Sequence, residues 1–189
     1  ADVPVIGYIG RLVMEKGLDV FADTIAELER RQVRHRVMVV GDGPARGWFE
    51  HRLTQAKFLG FQTGMELGRT VASMDMLFNP SITEAFGNVT LESMACGLPV
   101  VAARATGSDS LVREDVSGRL IRPGAVGQFA DALEAYCTDS SLRARHGAGG
   151  LAISQRNRWD AVNQAMLDTY SRVIAQRRSG AMPLRSPVP

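Results

Sequence analysis

Residues 76–103 read MLFNPSITEAFGNVTLESMACGLPVVAA, a stretch that predicts a strand, a helix and a second strand. The apolar run Met76–Phe78 is short and uninterrupted, which is typical of a strand buried on both faces of a sheet. The helical pattern that starts after Asn88 ends at Gly97, a residue type that favours the end of a helix. Val100–Ala103 is another uninterrupted apolar run. The order strand, helix, strand predicts two parallel strands joined by a crossover helix.

The same alternation of apolar runs and helical stretches continues along the chain. It predicts an α/β fold, namely a doubly wound, Rossmann-like parallel sheet of about six strands with helices on both faces. We expect one domain over residues 1–177 and a flexible tail over residues 178–189, which contain three prolines. The remaining predicted strands are Val5–Ile9, Val37–Val40, Lys57–Gly60 and Gly118–Ile121, and the remaining predicted helices are Leu18–Leu28, Met65–Met74, Gly127–Cys137, Ser140–His146 and Trp159–Gln176.

Composition narrows the class of protein. Of the 189 residues 45% are apolar, and the formal net charge is +2, which indicates a globular chain without the basic excess of a nucleic-acid-binding protein. No apolar run approaches the roughly 18 residues of a membrane span, and no signal peptide opens the sequence. We therefore expect a cytoplasmic protein with no nucleic acid partner and at most peripheral contact with the inner face of a membrane.

Residue types that bind metals are few and scattered. Cys96 and Cys137 have neither the spacing of a metal site nor that of a disulfide framework, and the three histidines have no neighbour at ligand spacing. Cys96 lies on the apolar end of a predicted helix, so we expect it to be a small buried side chain. The sequence predicts no metal site.

A loop with two basic residues follows the first predicted strand. It runs from Gly10 to Gly17 and carries Arg11 and Lys16. In a parallel sheet this loop lies at the carboxyl edge, where ligands bind. A planar guanidinium and a mobile ammonium would suit a diphosphate there. The alternative is two solvated charges in a surface loop.

A glycine-rich segment, residues 41–47, only partly matches a dinucleotide-binding fingerprint. Its third glycine comes one residue late, and no acidic residue ends a strand about twenty residues further on. We therefore interpret the segment as a turn ahead of a helix and do not expect an oxidoreductase.

Two acids flank the start of the helix that follows Asn88. Glu84 lies in the preceding loop, and Glu92 lies about four residues into the helix, a rise of roughly 6 Å. The free N–H groups at a helix start suit a phosphate, whereas carboxylates accept hydrogen bonds from hydroxyls. Hydroxyl groups on either side of a diphosphate describe a nucleotide sugar. The alternative is two unrelated surface acids.

Several motifs occur together in an order that is known from one enzyme family. They are Gly10-Arg11-Leu12 with Lys16-Gly17, Val40-Gly41-Asp42-Gly43-Pro44, Pro80-Ser81, Glu84-Ala85-Phe86-Gly87-Asn88-Val89 and Glu92-Ser93-Met94-Ala95-Cys96-Gly97-Leu98-Pro99-Val100-Val101. From about Val5 to Tyr170 the chain resembles the C-terminal half of the group 1 (family 4) retaining glycosyltransferases, which have the two-domain GT-B fold. The block from Pro80 to Val101 is the most specific part of this likeness.

The resemblance implies a role for each matching residue. Arg11 and Lys16 would neutralise the donor diphosphate and stabilise the leaving nucleotide, and Glu84 would bind hydroxyls of the transferred sugar. Glu92 would bind the ribose hydroxyls. Such enzymes typically need no metal and no other cofactor. The other donor-binding residues would be Gly10, Phe61 and Leu67 near the nucleotide, Phe86 and Gly87 at the sugar, and Asn88 and Val89 at the phosphate.

Two short motifs depart from the family pattern. Gly107-Ser108 stands where the family often has two glycines, and Asn157-Arg158-Trp159 replaces an aromatic-Ser-Trp sequence. These departures affect detail and leave the resemblance intact.

A GT-B enzyme has a first domain of similar size that holds the acceptor. The resemblance therefore implies that this chain is the donor-binding half of a retaining hexosyltransferase and that its partner, the N-terminal domain, is absent from it. We expect the donor to be GDP-mannose or UDP-glucose, and the isolated half to be inactive. A non-catalytic sugar-nucleotide-binding module and a nucleotide-sugar epimerase stay open as alternatives.

Overall fold

The computed structural model describes residues 3–83 and 86–179 of the chain. The strands are β1 (Val5–Ile9), β2 (Arg36–Val40), β3 (Lys57–Phe58), β4 (Met76–Asn79), β5 (Val100–Ala103) and β6 (Gly118–Ile121). The α-helices are α1 (Leu18–Arg30), α2 (Arg46–Arg52), α3 (Gly64–Val71), α4 (Asn88–Ala95), α5 (Thr106–Leu111), α6 (Val126–Thr138), α7 (Ser140–Ser154) and α8 (Trp159–Arg178). Short 3-10 helices cover Met14–Lys16 and Gln155–Asn157.

The chain divides into two compact units, residues 1–154 and 155–189. The first unit contains the sheet and the helices from α1 to α7. In the second, the described residues form a 3-10 helix and α8. The extent of the predicted domain, residues 1–177, stays a prediction, and residues 180–189 of the predicted tail lie outside the described residues.

The strands form one parallel sheet in the order β3-β2-β1-β4-β5-β6. Val5–Ile9 pairs in register with Arg36–Val40 on one side of β1, and Ile6 lies opposite Met76 of β4 on the other. The chain thus leaves β1 in two opposite directions. Right-handed crossovers in opposite directions place helices on opposite faces of the sheet. The predicted doubly wound parallel sheet of six strands is confirmed.

Both faces of the sheet are covered. Met76 and Phe78 of β4 pack into a core with residues of α1, α2 and α6, whereas Leu77 packs into a second core with residues of α4 and α5. All residues of β4 and β5 are buried. Successive side chains of a strand point to opposite faces, so a strand covered on both faces needs apolar residues at nearly every position.

An aromatic cluster fills the core beneath α1. The ring of Phe21 stacks on Phe78 with centroids 4.8 Å apart, and it meets Tyr8 at 5.4 Å and Phe49 at 5.5 Å, edge to face. Phe129 of α6 lies 5.1 Å from Phe78. Such offset and edge-to-face pairs add to the free energy of burial. They fix α1, the helix that follows the first loop of the candidate site.

Helix α7 is longer than predicted, because it continues through three glycines. The sequence predicted an end at His146, but the helix runs to Ser154. A Cβ on Gly147 would lie only 2.0 Å from the carbonyl oxygen of Gly97, and Gly150 faces Met94 in the same way at 3.3 Å. The glycines therefore permit close packing against the end of α4, and this contact outweighs their poor helix propensity.

Three further differences concern short elements. Helix α5 was not predicted, since its six residues are too few to show a helical period. Strand β3 is only Lys57–Phe58 rather than four residues. Helix α3 ends at Val71 rather than at Met74.

Candidate functional site

The candidate site lies where the order of the strands reverses. Ile9 ends β1, Val40 ends β2 and Asn79 ends β4, and β1 and β4 are neighbours in the sheet although they are not consecutive in the chain. In doubly wound sheets, ligands bind in the crevice at the carboxyl ends of the strands around this point.

A cavity of about 440 Å³ opens at this edge of the sheet. Its volume lies in the usual range of small-molecule sites, roughly 300–1,000 Å³. Six of the predicted site residues line it, namely Gly10, Arg11, Phe61, Leu67, Val89 and Glu92. Residues from four separate loops and helices therefore meet around one space, as the predicted topology requires.

Five other residues line the same cavity without having been predicted there, namely Ile9, Val40, Gly41, Asp42 and Gln62. A signal existed for four of them. Ile9 and Val40 end predicted strands, and Gly41 and Asp42 belong to the glycine-rich motif. Gln62 carried no recognisable signal in the sequence.

Two residues of helix α4 line the cavity, and the positive end of the helix dipole lies beside the cavity. Val89 and Glu92 are three positions apart and so share one face of the helix. Gly87 is the N-cap residue, in the left-handed conformation with φ 91°. The structure shows no side-chain cap and no acidic residue in the first turn of this helix. Its first N–H groups therefore point at a place that suits an anion.

Three predicted residues lie at the helix start and not in the described lining of the cavity. Phe86 is 46% exposed, Gly87 is the N-cap, and Asn88 is the exposed first residue of α4. Backbone groups at this position would be within reach of a ligand that extends out of the cavity along the edge of the sheet.

The loop before α1 and the loop before α4 contact each other. The ammonium group of Lys16 donates to the carbonyl oxygen of Thr83 at 3.5 Å, and the hydroxyl of Thr83 donates to the carbonyl oxygen of Glu15 at 3.3 Å. A Cβ on Gly17, whose φ is 72°, would lie 2.9 Å from the carbonyl oxygen of Pro80. Glycine at position 17 thus permits the approach that brings Lys16 to the segment before α4.

The glycine-rich segment supports the first loop from the other side. A Cβ on Gly41, whose φ is 131°, would lie 1.9 Å from the carbonyl oxygen of Gly10. The N–H of Leu12 donates to the carbonyl oxygen of Asp42 at 2.9 Å. Residues 41–45 thus form a turn that packs on the first loop, ahead of α2, which agrees with the prediction.

Arg11 lines the cavity and carries an exposed ion pair. Its guanidinium group lies 3.3 Å from the carboxylate of Glu15, and the two side chains are 68% and 61% exposed. Exposed pairs of this kind stabilise a fold by little. An incoming dianion would therefore compete readily with Glu15 for the guanidinium.

Two sequence predictions have a different outcome. Glu84 lies outside the described residues, so its contact with a sugar stays a prediction. The prediction that Cys96 is buried is wrong. Cys96 is exposed at the C-cap of α4, whereas Met94, two residues earlier, faces the core.

Within residues 3–83 and 86–179, no three His, Cys, Asp or Glu side chains are placed to hold a metal ion. No helix in this part of the chain has the length and apolarity needed to cross a bilayer.

A second cavity, of about 490 Å³, lies at the opposite edge of the sheet. It is lined by charged residues at the starts of β2 and β3, including Arg34, Arg36 and Lys57. None of the predicted site residues contributes to it. Its position, at the amino ends of the strands, is not the position at which doubly wound sheets bind ligands.

A family comparison adds to this geometry. Residues 3–139 match the family described as Glycosyl transferases group 1. The chain belongs to the group 1 glycosyltransferases. The match covers the whole sheet and every described residue of the candidate site, so the resemblance inferred from the sequence motifs is confirmed.

Two relatives of this chain are about twice as long as the chain itself. The D-inositol 3-phosphate glycosyltransferase of Saccharomonospora viridis is 32% identical over an alignment of 197 positions, gaps included, which covers 96% of this chain and 46% of the relative. The GDP-mannose-dependent alpha-mannosyltransferase of Corynebacterium glutamicum is 29% identical over 171 residues, which cover 90% of this chain and 40% of the relative. The chain thus spans less than half the length of these relatives.

Solved structures share the fold. HepE of Anabaena, crystallised with UDP, superposes with a TM-score of 0.77 at 31% identity, covering 89% of this chain and 48% of HepE. The sucrose-phosphate synthase of Thermosynechococcus elongatus gives a TM-score of 0.81 at 24% identity, and the superposition covers 92% of this chain and 46% of the synthase. The sheet is therefore the Rossmann-like half of a GT-B fold, as predicted.

Proposed function

We propose that this chain is the donor-binding half of a retaining glycosyltransferase, which moves a hexose from a nucleoside diphosphate sugar to an acceptor hydroxyl. The observation that carries the proposal is the cavity at the strand-order reversal. It joins Arg11 and Glu92 on one surface, beside the uncapped start of α4. Membership of the group 1 family supports the same reaction class.

The diphosphate would bind between the two contacting loops. Breaking the bond between the sugar and the diphosphate leaves negative charge on the departing nucleotide. Arg11 and Lys16 would neutralise this charge, and the N–H groups of Asn88 and Val89 would donate hydrogen bonds to it. Charge stabilisation of this type would proceed without a metal or another cofactor.

The nucleoside would occupy the cavity itself. The carboxylate of Glu92 would accept hydrogen bonds from the ribose hydroxyls, because an ionised carboxylate is an acceptor only. Leu67 and Phe61 line the same space and would contact the base. Gly10, the residue after β1, would let the backbone approach the nucleotide closely.

The transferred sugar would lie beyond the diphosphate, near the loop before α4. Glu84 would bind its hydroxyls, and the backbone of Phe86 and Gly87 would contact the ring. Two relatives suggest the donor: one is named for GDP-mannose, and the HepE crystals contain UDP. We favour a GDP-mannose donor, with UDP-glucose as the second choice.

The acceptor would bind a second domain that faces this one. The chain covers 46% of the length of its S. viridis relative, so room for such a domain exists in proteins of this kind. We propose a cytoplasmic enzyme that touches the inner face of a membrane at most peripherally.

A thermal-shift panel of the purified chain tests the proposal. GDP, UDP, ADP and their sugars are compared at about 100 times the dissociation constant, where a ligand stabilises the fold by about 2.7 kcal/mol. At least one diphosphate should raise the melting temperature of the wild type and of Arg34→Ala, whose substituted side chain lies at the opposite edge. The same diphosphate should raise that of Arg11→Ala less. A flat panel for the wild type would overturn the proposal.

A further inference from the structure

A buried polar contact joins the end of β4 to α4. Asn79 is 7% exposed and Thr90 is fully buried. The side-chain amide of Asn79 donates to the hydroxyl of Thr90 at 3.5 Å, and its carbonyl oxygen accepts the N–H of Ser81 at 3.2 Å. Buried polar groups cost free energy unless they are hydrogen-bonded. The amide therefore ties the first turn of α4 to the loop that precedes it.

The same chain of contacts continues to the basic loop. The hydroxyl of Ser81, which is 1% exposed, accepts the N–H of Thr83 at 3.3 Å. The hydroxyl of Thr83 donates to the carbonyl oxygen of Glu15 at 3.3 Å, and its carbonyl oxygen accepts from the ammonium of Lys16 at 3.5 Å. Contacts thus run from Thr90 in α4 to the residue pair 15–16. We call this set (Thr90, Asn79, Ser81 and Thr83) the polar relay.

We infer that the polar relay is a positioning device that holds Lys16 at a fixed distance from the amino end of α4. The inference rests on the proposed function, because it treats Lys16 and the α4 N–H groups as two halves of one diphosphate site. These halves belong to different loops, separated by about seventy positions in the chain. Ligand groups held in advance at the right separation cost less ordering entropy on binding.

The burial of Asn79 and Thr90 favours a positioning role over a purely structural role. An apolar pair at positions 79 and 90 would fill the same core without the cost of desolvating an amide and a hydroxyl. The polar pair brings direction instead, since each hydrogen bond sets an orientation as well as a contact. Thr83 and Asn79 are therefore positioning residues, which act on the donor through Lys16 and α4 and do not touch it.

Thr83 provides the cleanest test, because it is exposed and its replacement leaves the core intact. Thr83→Val keeps the shape of the side chain and removes the hydroxyl that reaches Glu15, whereas Thr83→Ser keeps the hydroxyl. Isothermal titration calorimetry gives dissociation constants for a nucleoside diphosphate and for the matching monophosphate. Their ratio measures what the second phosphate adds to binding.

We expect Thr83→Val to lower this ratio by about two- to tenfold, the effect of losing the one hydrogen bond that joins Thr83 to Glu15, and Thr83→Ser to restore the wild-type ratio. The melting temperature of both variants should stay at the wild-type value. A second pair, Thr90→Val and Thr90→Ser, should show the same contrast from the buried end of the relay, with folding checked by circular dichroism.

Three results would overturn the inference. Unchanged dissociation constants for both nucleotides in Thr83→Val would show that the relay does not position Lys16. An equal loss for diphosphate and monophosphate would indicate general damage to the site. A wild-type chain that binds neither nucleotide would overturn the proposed function and the inference together, and this outcome is distinguishable from the first two.

Discussion

Replacing Glu92 with alanine tests the proposed contact with ribose. Glu92 is the fifth residue of α4, is exposed, and lines the cavity, so the change leaves the core untouched. A hydrogen bond to a charged group contributes about 1.5–3 kcal/mol, and about 1.4 kcal/mol corresponds to a factor of ten. Glu92→Ala should therefore raise the dissociation constant of the preferred nucleoside diphosphate by about 10- to 150-fold in isothermal titration calorimetry.

A change in the ligand separates this contact from general damage. The wild type should lose a similar factor when the nucleotide lacks its 2′ and 3′ hydroxyls, whereas Glu92→Ala should bind the two ligands equally. Glu92→Gln keeps an acceptor oxygen without the charge. Its discrimination between the two ligands should therefore be weaker than that of the wild type and stronger than that of Glu92→Ala. If Glu92→Ala still discriminates between the ligands as strongly as the wild type, Glu92 does not contact the ribose.

Three further predictions concern the basic loop, helix packing and pH. Lys16→Ala should weaken diphosphate binding by about tenfold or more in the same calorimetric assay, since it removes a charge-assisted contact. Lys57→Ala, at the opposite edge of the sheet, should bind as the wild type does. Equal losses in the two variants would contradict a contact between Lys16 and the diphosphate. Gly147→Ala should lower the free energy of unfolding by about 1–3 kcal/mol in urea, because its Cβ would meet a backbone oxygen at 2.0 Å. Gly68→Ala, whose Cβ would meet open space, should instead raise the free energy of unfolding by about 0.5–1 kcal/mol. If Gly147→Ala is as stable as the wild type, the segment before β5 can shift to admit the Cβ. Burial lowers the pKa of His146 below 6.5, so the unfolded chain binds the proton more readily than the folded one. Stability should therefore fall as the pH drops below about 6.5, and the urea midpoint should respond less to acid in His146→Gln; an identical response would refute this.

Much of the fold could be predicted from the sequence because the strands are buried on both faces. Val100–Ala103 has no polar residue to mark an exposed side, and the runs in β1 and β4 are similar. The end of α7 was not accessible in this way. The glycine at position 147 reads as a helix stop, and only the tertiary contact with Gly97 shows why the helix continues.

The candidate site was predictable to the extent that its residues lie on neighbouring loops. Arg11 and Glu92 were expected together because parallel strands bring their carboxyl ends to one edge. Gln62 was not expected, since no pattern marks a polar residue that lines a cavity from the loop after β3. The contact between Asn79 and Thr90 was also missed, because it depends on how α4 returns over the end of β4.

A crystal structure of the chain with bound nucleoside diphosphate tests the central claim most directly. We expect diphosphate oxygens within hydrogen-bonding distance of the N–H groups of Asn88 and Val89, with the ribose hydroxyls on the carboxylate of Glu92. A nucleotide bound instead in the cavity at the amino edge, against Arg34 and Lys57, would contradict it.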